Sequence, residues 1–221
     1  MVRPIPPRID RATSLRYMGA AGWQPDAASA ALLDRAEEKL RQTASPRAVW
    51  RRLPRVVLPL ENRGGDLARH LQGCDEVLVL VTTLGSEVDT LLRRLELTDI
   101  ALAASADAMA SVLLEQVCDE LEQELRTRLA EEHRYLTGRF APGYGHCPLE
   151  LNDEISLAAD SVRGAGVAVT AQHLLVPRKS TTALLGIADH PVTGTLAGCS
   201  TCHLRETCVF RKRGTTCFSQ K

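Results

Sequence analysis

The residues best suited to hold a ligand lie at positions 139–150, where the sequence reads Arg-Phe-Ala-Pro-Gly-Tyr-Gly-His-Cys-Pro-Leu-Glu. Arg139 carries a planar guanidinium whose donors match a carboxylate. Gly143 and Gly145 flank Tyr144, and because they lack β-carbons they permit positive φ and a close approach of the backbone to a bound molecule. Two prolines stiffen the segment. This composition predicts a ligand-binding loop in which Arg139 supplies the positive charge.

A second group of residues able to bind a metal or to react lies in a cysteine-rich tail. Its candidate metal ligands are Cys199, Cys202, Cys208 and Cys217, with His203 as a substitute ligand. The close first pair is typical of a tetrahedral zinc site, and four thiolates also suit an iron-sulfur cluster. Free thiols on a basic tail, open to disulfide exchange, are the alternative.

The bulk composition limits the classes of function. The chain has 221 residues, 44% of them hydrophobic, which is enough to form one domain with a short appendix. Its formal net charge is zero, so no overall field attracts nucleic acid or an anionic membrane. Seven cysteines, four of them in the last 23 residues, do not resemble a secreted disulfide framework. With no apolar run approaching the ~20 residues of a membrane span, we expect a cytoplasmic protein without nucleic-acid or membrane partners.

The hydrophobic pattern predicts the elements that position these residues. In the first part of the chain it indicates helices at 26–43, 66–71 and 99–133, and strands at 55–60 and 76–83. The helix at 99–133 is the longest and is expected at the centre of the domain, with Gly138 ending it. Ser86 and Asp89 are predicted to cap a helix that follows the second strand.

Beyond the loop, the pattern predicts a helix at 150–162, stopped by Gly164 and Gly166, and then a β-meander. The expected strands of the meander are 167–170, 174–176 and 181–187. Since helices and strands are mixed without a regular βα repeat, the fold class is α+β.

Four segments resemble, in the same order, the recurring blocks of stand-alone proteins related to the activation domain of cobalamin-dependent methionine synthase. They are residues 15–19 (Leu-Arg-Tyr-Met-Gly), 82–85 (Thr-Thr-Leu-Gly), 139–150, and 176–186 (Val-Pro-Arg-Lys-Ser-Thr-Thr-Ala-Leu-Leu-Gly). The third contains the Arg-x-x-Pro-Gly-Tyr motif, which binds S-adenosylmethionine in that family. The resemblance spans roughly residues 10–190 and implies a twisted, mainly antiparallel sheet with flanking helices and a long central helix.

The irregular, proline-rich start of the chain predicts an N-terminal arm at 1–25, and the cysteines mark a tail at 196–221. The resemblance implies that the domain between them, 26–195, binds S-adenosylmethionine, and it assigns the site. Arg139 is expected to pair with the methionyl carboxylate. The backbone around Ala141, Gly143 and Tyr144 is expected to contact the rest of the ligand.

The implied function is reductive methylation, and hence reactivation, of a cob(II)alamin cofactor carried by a partner methionine synthase, with an external electron donor. A sulfonium methyl group is already activated, so no catalytic acid or base is expected. The chain contains no Asp-x-His-x-x-Gly segment of the kind that places a histidine under cobalt. The corrinoid is therefore expected on a partner.

The sequence also departs from the family pattern. Residues 186–191 contain no tyrosine where the long enzymes carry an aromatic pair, and Asp10 is only a loose candidate for the aspartate near the start of their domain. One alternative is accordingly a non-catalytic scaffold or electron-delivery module with a metal-binding cysteine tail. Another is reactivation of a different corrinoid methyltransferase.

Several other side chains have two interpretations. Cys147 is either a reactive thiol activated by Arg139 or a packed residue, whereas Cys74 and Cys118 lie on apolar segments typical of a core. Lys179 and Ser180 either face the ligand or belong to a solvated hairpin.

Overall fold

The computed structural model describes residues 1–57, 65–194, 205–212 and 214. The helices are α1 (Arg11–Tyr17), α2 (Ala27–Thr43), α3 (Gly65–His70), α4 (Ser86–Thr98), α5 (Ile100–Glu131), α6 (Leu151–Ala159), α7 (Ser161–Ala165) and α8 (Val209–Lys212). The strands are β1 (Arg47–Pro54), β2 (Glu76–Thr83), β3 (Tyr135–Leu136), β4 (Ala168–Val169), β5 (Leu175–Val176) and β6 (Ser180–Ala188). The arrangement is α+β, as predicted.

A four-stranded antiparallel sheet in the order β1-β2-β6-β3 organises the molecule. Strand β2 lies inside the sheet, with Glu76 opposite Pro54 of β1 and opposite Ile187 of β6. Strands β4 and β5 form a separate two-stranded sheet. The predicted meander is therefore wrong in its pairing, because β6 joins the main sheet while β4 and β5 pair with each other.

Strand β2 is covered on both faces. Leu78 and Leu80 share a hydrophobic cluster with Leu121 of α5, while Val77 and Val79 share another with residues of α6. A strand that is buried on both faces reads as an unbroken apolar run. This explains why the sequence predicts β2 with its correct bounds.

Helix α5 is the central helix, as predicted. Its N-cap is Asp99, whose side chain accepts a hydrogen bond from the backbone N–H of Leu102 at 3.0 Å. By length and composition this helix could span a membrane, but 61% of its most apolar window is buried within the fold, where a core helix belongs. The predicted end at Gly138 is wrong. The helix ends at Glu131, and His133 then takes a φ of 54° and turns the chain into β3.

The strand predicted at 55–60 is also wrong. The strand lies earlier, at Arg47–Pro54; residues 55–57 form a 3₁₀ turn, and residues 58–60 lie outside the described part of the chain. Strand β1 is an edge strand, so its arginines take the less covered positions and obscure the apolar alternation. Arg52, for example, bonds Glu76 at 2.6 Å and Glu132 at 2.5 Å.

The start of α4 differs from the prediction as well. Gly85, with φ of 91°, is the N-cap, and no side chain caps this end. Thr83 Oγ1 accepts a hydrogen bond from the Gly85 N–H at 3.0 Å. Asp89 does not close a capping box; its Oδ2 accepts a hydrogen bond from the Arg178 N–H at 2.8 Å and ties α4 to the chain entering β6.

The helix predicted at 150–162 is two helices. Asp160 adopts a left-handed conformation with φ of 53° and breaks the run between α6 and α7. Gly166 then ends α7 at φ of 73°, as expected of a glycine after a helix, whereas Gly164 lies inside it.

The N-terminal arm packs against the domain. The Met1 ammonium donates to the Ala48 carbonyl at 2.9 Å, and the Arg3 N–H donates to that of Pro46 at 2.8 Å. Ile9 and Leu15 are buried in the core formed with α2, α4 and α5. Within the arm, Arg11–Tyr17 form helix α1.

Candidate functional site

A cleft of about 330 Å³ lies where α5, the loop after β3 and β6 meet. It is lined by Glu115, Glu122, Arg139, Phe140, Ala141, Tyr144, Thr181 and Ala183. Of the four residues predicted to bind the ligand, the fold brings Arg139, Ala141 and Tyr144 together here, while Gly143 is not part of the lining.

The loop is held against the sheet by backbone hydrogen bonds. The Phe140 N–H donates to the Leu184 carbonyl and the Leu184 N–H donates to that of Phe140, both at 2.9 Å. A compact turn follows, in which the Gly143 N–H donates to the Cys147 carbonyl at 2.9 Å and the Cys147 N–H donates to that of Tyr144 at 3.0 Å. The loop therefore presents Arg139 and Tyr144 from a defined backbone.

The two loop glycines have the predicted positive φ, 82° at Gly143 and 56° at Gly145. A β-carbon on Gly143 would lie 3.0 Å from Leu149 Cδ2, and one on Gly145 would lie 2.5 Å from Asp66 Oδ2. The close approaches that these glycines permit are thus to neighbouring side chains of the protein. Direct contact between Gly143 and a ligand stays a prediction.

Arg139 lies among three carboxylates of α5. Its Nη1 donates to Glu122 Oε2 at 2.8 Å, and its Nη2 donates to Asp119 Oδ1 at 2.9 Å and to Glu115 Oε2 at 3.0 Å. Its side chain is only 17% exposed. Burial by itself lowers the Arg139 pKa, but the Cys118 thiol and these carboxylates outweigh that effect, so the pKa lies above its usual value.

These carboxylates are not among the residues predicted from the sequence. Glu115, Asp119 and Glu122 are spaced i, i+4 and i+7, which places them on one face of a helix. That spacing was the available signal, but an acidic stripe on a long helix is usually solvated. The long-range placement of Arg139 against α5 gives all three carboxylates a common partner.

Two aromatic rings line the cleft. Phe140 is buried and its ring meets the half-buried Tyr144 ring edge to face, with centroids 5.6 Å apart and planes at 88°. Residues 186–191, where the resemblance implies an aromatic pair, do not line the cleft. Gly186 is enclosed in the core, since a β-carbon there would lie 2.4 Å from Cys74 Sγ. The aromatic lining in this chain comes from the loop.

The cysteines outside the tail are buried. Cys147 is 4% exposed and packs in the cluster of Phe140 and Leu151, which favours the packed interpretation over a reactive thiol. Cys74 and Cys118 are buried as predicted. Burial raises the pKa of the Cys118 thiol to about 12.

Lys179 and Ser180 take neither of their predicted positions. Lys179 is 9% exposed, and its Nζ donates to the Asp107 carbonyl at 3.0 Å and to Ser111 Oγ at 2.9 Å. The Ser180 hydroxyl donates to Thr83 Oγ1 at 2.8 Å. Neither residue lines the cleft. Neither belongs to a solvated hairpin, because Lys179 binds α5 and Ser180 binds β2.

Asp10 has a local role. Its carboxylate accepts from the Thr13 N–H and caps α1, and it does not line the cleft.

Most of the predicted metal site falls outside the described residues. The residues outside are Cys199, Cys202, His203 and Cys217. Cys208 is described and is a half-buried free thiol. Within residues 1–57, 65–194, 205–212 and 214, no cluster of three or more histidine, cysteine or acidic side chains could hold a metal ion. The metal assignment thus stays a prediction.

A larger cleft of about 690 Å³ lies toward the N-terminal end of α5. It includes Tyr17 and Met18 of the segment 15–19, and Phe210 of α8. Its acidic side chains, Glu96 and Asp107, already lie 3.8 Å from Arg178. We place the candidate site in the smaller cleft because only that one joins a largely buried guanidinium to aromatic rings and the glycine-containing loop.

Comparison with known proteins supports the fold. No protein-family model and no curated protein matches this chain. Among solved structures, it is similar to a crystal structure of the MetH reactivation domain bound to AdoHcy, with a TM-score of 0.62 and 20% sequence identity. The match covers 95% of this chain and 82% of that chain. The chain therefore has the fold of that domain, as the sequence resemblance implied.

Proposed function

We propose that this protein binds S-adenosylmethionine in the cleft at Arg139 and supports reductive methylation of a cob(II)alamin cofactor carried by a partner methionine synthase. The observation that carries the proposal is the placement of Arg139, Ala141 and Tyr144 around one cleft. These residues belong to the motif that resembles the family's ligand loop. The fold they occupy is that of a reactivation domain crystallised with AdoHcy.

The charges around the cleft suit this ligand. Three carboxylates face one guanidinium, which leaves an excess of negative charge. S-adenosylmethionine carries a sulfonium and an ammonium group against one carboxylate and is a net cation. A negative site attracts a cation more strongly than a neutral molecule. The product of methyl transfer, S-adenosylhomocysteine, has lost the sulfonium charge, so the cleft should hold the methyl donor more tightly than the product.

Arg139 can pair with a ligand carboxylate without leaving its place. Glu115 and Asp119, which share its Nη2, have side chains that are 52% and 41% exposed. Such side chains exchange a protein contact for water at low cost. Glu122, with 18% exposure, stays on Nη1 and keeps the guanidinium oriented. In the proposed complex the ligand carboxylate takes the Nη2 side.

The remaining residues bind and orient. Tyr144, backed by the buried Phe140 ring, offers aromatic surface for the adenine, and Ala141, Thr181 and Ala183 also line the cleft. When the partner docks, its cobalamin supplies the cobalt that accepts the methyl group. The protein's contribution is to hold the sulfonium methyl toward that face and to limit access of water. No acid or base is required of this chain.

The cysteine-rich tail belongs to the proposal as a metal site formed by Cys199, Cys202, Cys208 and Cys217. Support comes from the spacing of the thiols alone. Zinc would stabilise the tail, whereas an iron-sulfur cluster would make it a route for the electron that reductive methylation consumes.

The proposed function is tested with methyl-labelled S-adenosylmethionine, a cob(II)alamin-loaded methionine synthase without its own reactivation domain, and Ti(III) citrate as one-electron reductant. We expect label on the corrinoid and one S-adenosylhomocysteine released per methyl group, only when this protein is present. If S-adenosylmethionine binds but no label moves to this corrinoid protein, the result supports one of the alternatives. The protein is then a scaffold, or it reactivates a different corrinoid methyltransferase. If the ligand does not bind, the proposed site is wrong.

A further inference from the structure

Helix α3 contacts the ligand loop at two places, at its start and after Tyr144, without reaching the cleft. It is short, and its buried face consists of Asp66, Leu67 and His70. Neither Asp66 nor His70 lines the cleft. Both are nonetheless almost fully buried, at 7% and 1% exposure. His70 hydrogen-bonds to Gly138, just before the loop, and Asp66 to His146 within it.

At the start of the loop, His70 fixes the backbone beside Arg139. Its Nε2 lies 2.9 Å from the Gly138 carbonyl oxygen and 3.0 Å from Thr137 Oγ1. A carbonyl only accepts, so Nε2 carries the proton and donates to Gly138. The imidazole ring also packs on Phe140, with centroids 5.0 Å apart.

At the far side of the turn, Asp66 holds the backbone after Tyr144. Its Oδ2 accepts from the His146 N–H at 3.0 Å and lies 2.8 Å from His146 Nδ1. Its Oδ1 pairs with Arg69 of the same helix. Gly145 makes this approach feasible, because a β-carbon there would lie 2.5 Å from Asp66 Oδ2.

The two contacts meet at Tyr144. His70 packs on Phe140, Phe140 meets Tyr144 edge to face, and Asp66 anchors the residues that follow Tyr144. A buried carboxylate is costly to desolvate unless it is well paired, so Asp66 specifies this loop conformation strongly.

We propose that Asp66 and His70 are positioning residues for the cleft, which fix Arg139 and Tyr144 in the geometry that binds S-adenosylmethionine. The inference rests on the proposed function, since it concerns the same site. It assigns to α3, a helix outside the four segments of the resemblance, a role in ligand affinity.

The test compares S-adenosylmethionine titrations by calorimetry with thermal unfolding for wild type, Asp66→Ala and Asp66→Asn. We expect Asp66→Ala to weaken binding at least tenfold at a temperature where it is fully folded. Asp66→Asn should recover most of the affinity, because its amide oxygen still accepts from the His146 N–H. Such a rescue separates positioning of the loop from a general loss of stability.

Two further variants keep the test decisive. Gly145→Ala retains Asp66 but pushes a methyl group against its carboxylate, and it should weaken binding in the same way if Asp66→Ala does not fold. Asp153→Ala is the matched control, because it removes a similar carboxylate–imidazole pair, to His173 at 2.5 Å, away from the cleft. That control should bind like wild type.

The outcomes separate this inference from the proposed function. If wild type does not bind S-adenosylmethionine, the proposed function fails, and the positioning role fails with it. If wild type binds, Arg139→Ala does not, and both Asp66→Ala and Gly145→Ala bind normally, only the positioning role is overturned.

Discussion

Arg139 Nη1 donates to Glu122 Oε2 at 2.8 Å, the shortest of the contacts between this guanidinium and the α5 carboxylates. The other oxygen of Glu122 accepts from Arg126 Nη2 at 2.7 Å, and Arg126 in turn donates to the Thr137 carbonyl, also at 2.7 Å. Glu122 therefore bridges the arginine of the cleft to the backbone that delivers the loop.

Glu122→Gln should weaken binding of S-adenosylmethionine. The amide keeps only one acceptor oxygen and no charge, so it cannot hold Arg139 and Arg126 at the same time, and the orientation of Arg139 is weakened. We expect a loss of roughly tenfold, or about 1.4 kcal/mol, measured by calorimetric titration. Glu124→Gln is a matched control on the same helix, since Glu124 pairs with Arg3 and Arg128 rather than with Arg139. Equal affinities for Glu122→Gln and wild type would refute the bridging role.

The negative charge of the cleft should favour the methyl donor over its product. We expect wild type to bind S-adenosylmethionine more tightly than S-adenosylhomocysteine at low salt, with the preference falling as salt screens the carboxylates. The double variant Glu115→Gln, Asp119→Asn should bring the two affinities several-fold closer. A preference that is unchanged in this variant would show that these carboxylates do not select for the sulfonium.

The Cys118 thiol makes a specific prediction for alkaline pH. Its folded pKa is about 12 against an ordinary value of 9.0, so between these values the unfolded chain releases a proton that the folded chain keeps. The stabilisation is therefore complete below pH 9 and is lost as pH rises toward 12. Denaturant unfolding should show a falling free energy in that range, and the fall should be shallower in Cys118→Ala. Parallel curves for the two proteins would contradict the assignment.

The contact between α5 and the sheet should dominate stability. Leu121 is fully buried against Leu78 and Leu185, so Leu121→Ala should cost about 2–5 kcal/mol of unfolding free energy. Leu97→Ala is the control, because Leu97 is 88% exposed and its truncation should change stability by about 0.5 kcal/mol or less. Urea denaturation followed by circular dichroism measures both, and a similar cost at the two positions would be inconsistent with this packing.

The tail should contain a metal if its four thiols are ligands of one site. We expect elemental analysis of protein purified without oxygen to find roughly one zinc ion, or the iron and sulfide of one cluster, per chain. The metal should be lost in a variant with Cys199→Ser and Cys202→Ser. Metal-free protein whose tail thiols all react with a thiol reagent would instead support the free-thiol alternative.

The sequence predicts the elements whose burial leaves a local pattern. Strand β2 is covered on both faces and α5 presents a long apolar surface, so the local sequence is enough to predict each of them. The loop can be predicted for a different reason. Gly143 and Gly145 have positive φ, which glycine adopts more readily than other residues, so their presence indicates a turn. These features give the α+β class, the central helix and three of the four predicted ligand-binding residues in one cleft.

What the sequence does not predict depends on distant partners. The sequence does not reveal strand β1, because an edge strand tolerates arginines such as Arg52. The carboxylate partners of Arg52 are Glu76 of β2 and Glu132, just after α5. The carboxylates around Arg139 lie 17 to 24 residues away along the chain, and Asp66 lies 80 residues from His146. No local pattern encodes such pairs.

The most direct test of the central claim is calorimetric titration of S-adenosylmethionine into wild type, Arg139→Ala, Arg139→Lys and Arg178→Ala. Wild type should bind. Arg139→Ala should lose at least tenfold in affinity, and Arg139→Lys should recover only part of it, because lysine keeps the charge but lacks the planar fork. Arg178→Ala, which removes a more exposed arginine outside the cleft, should bind like wild type. Absence of binding by wild type at millimolar ligand, or unchanged affinity in Arg139→Ala, would contradict the account.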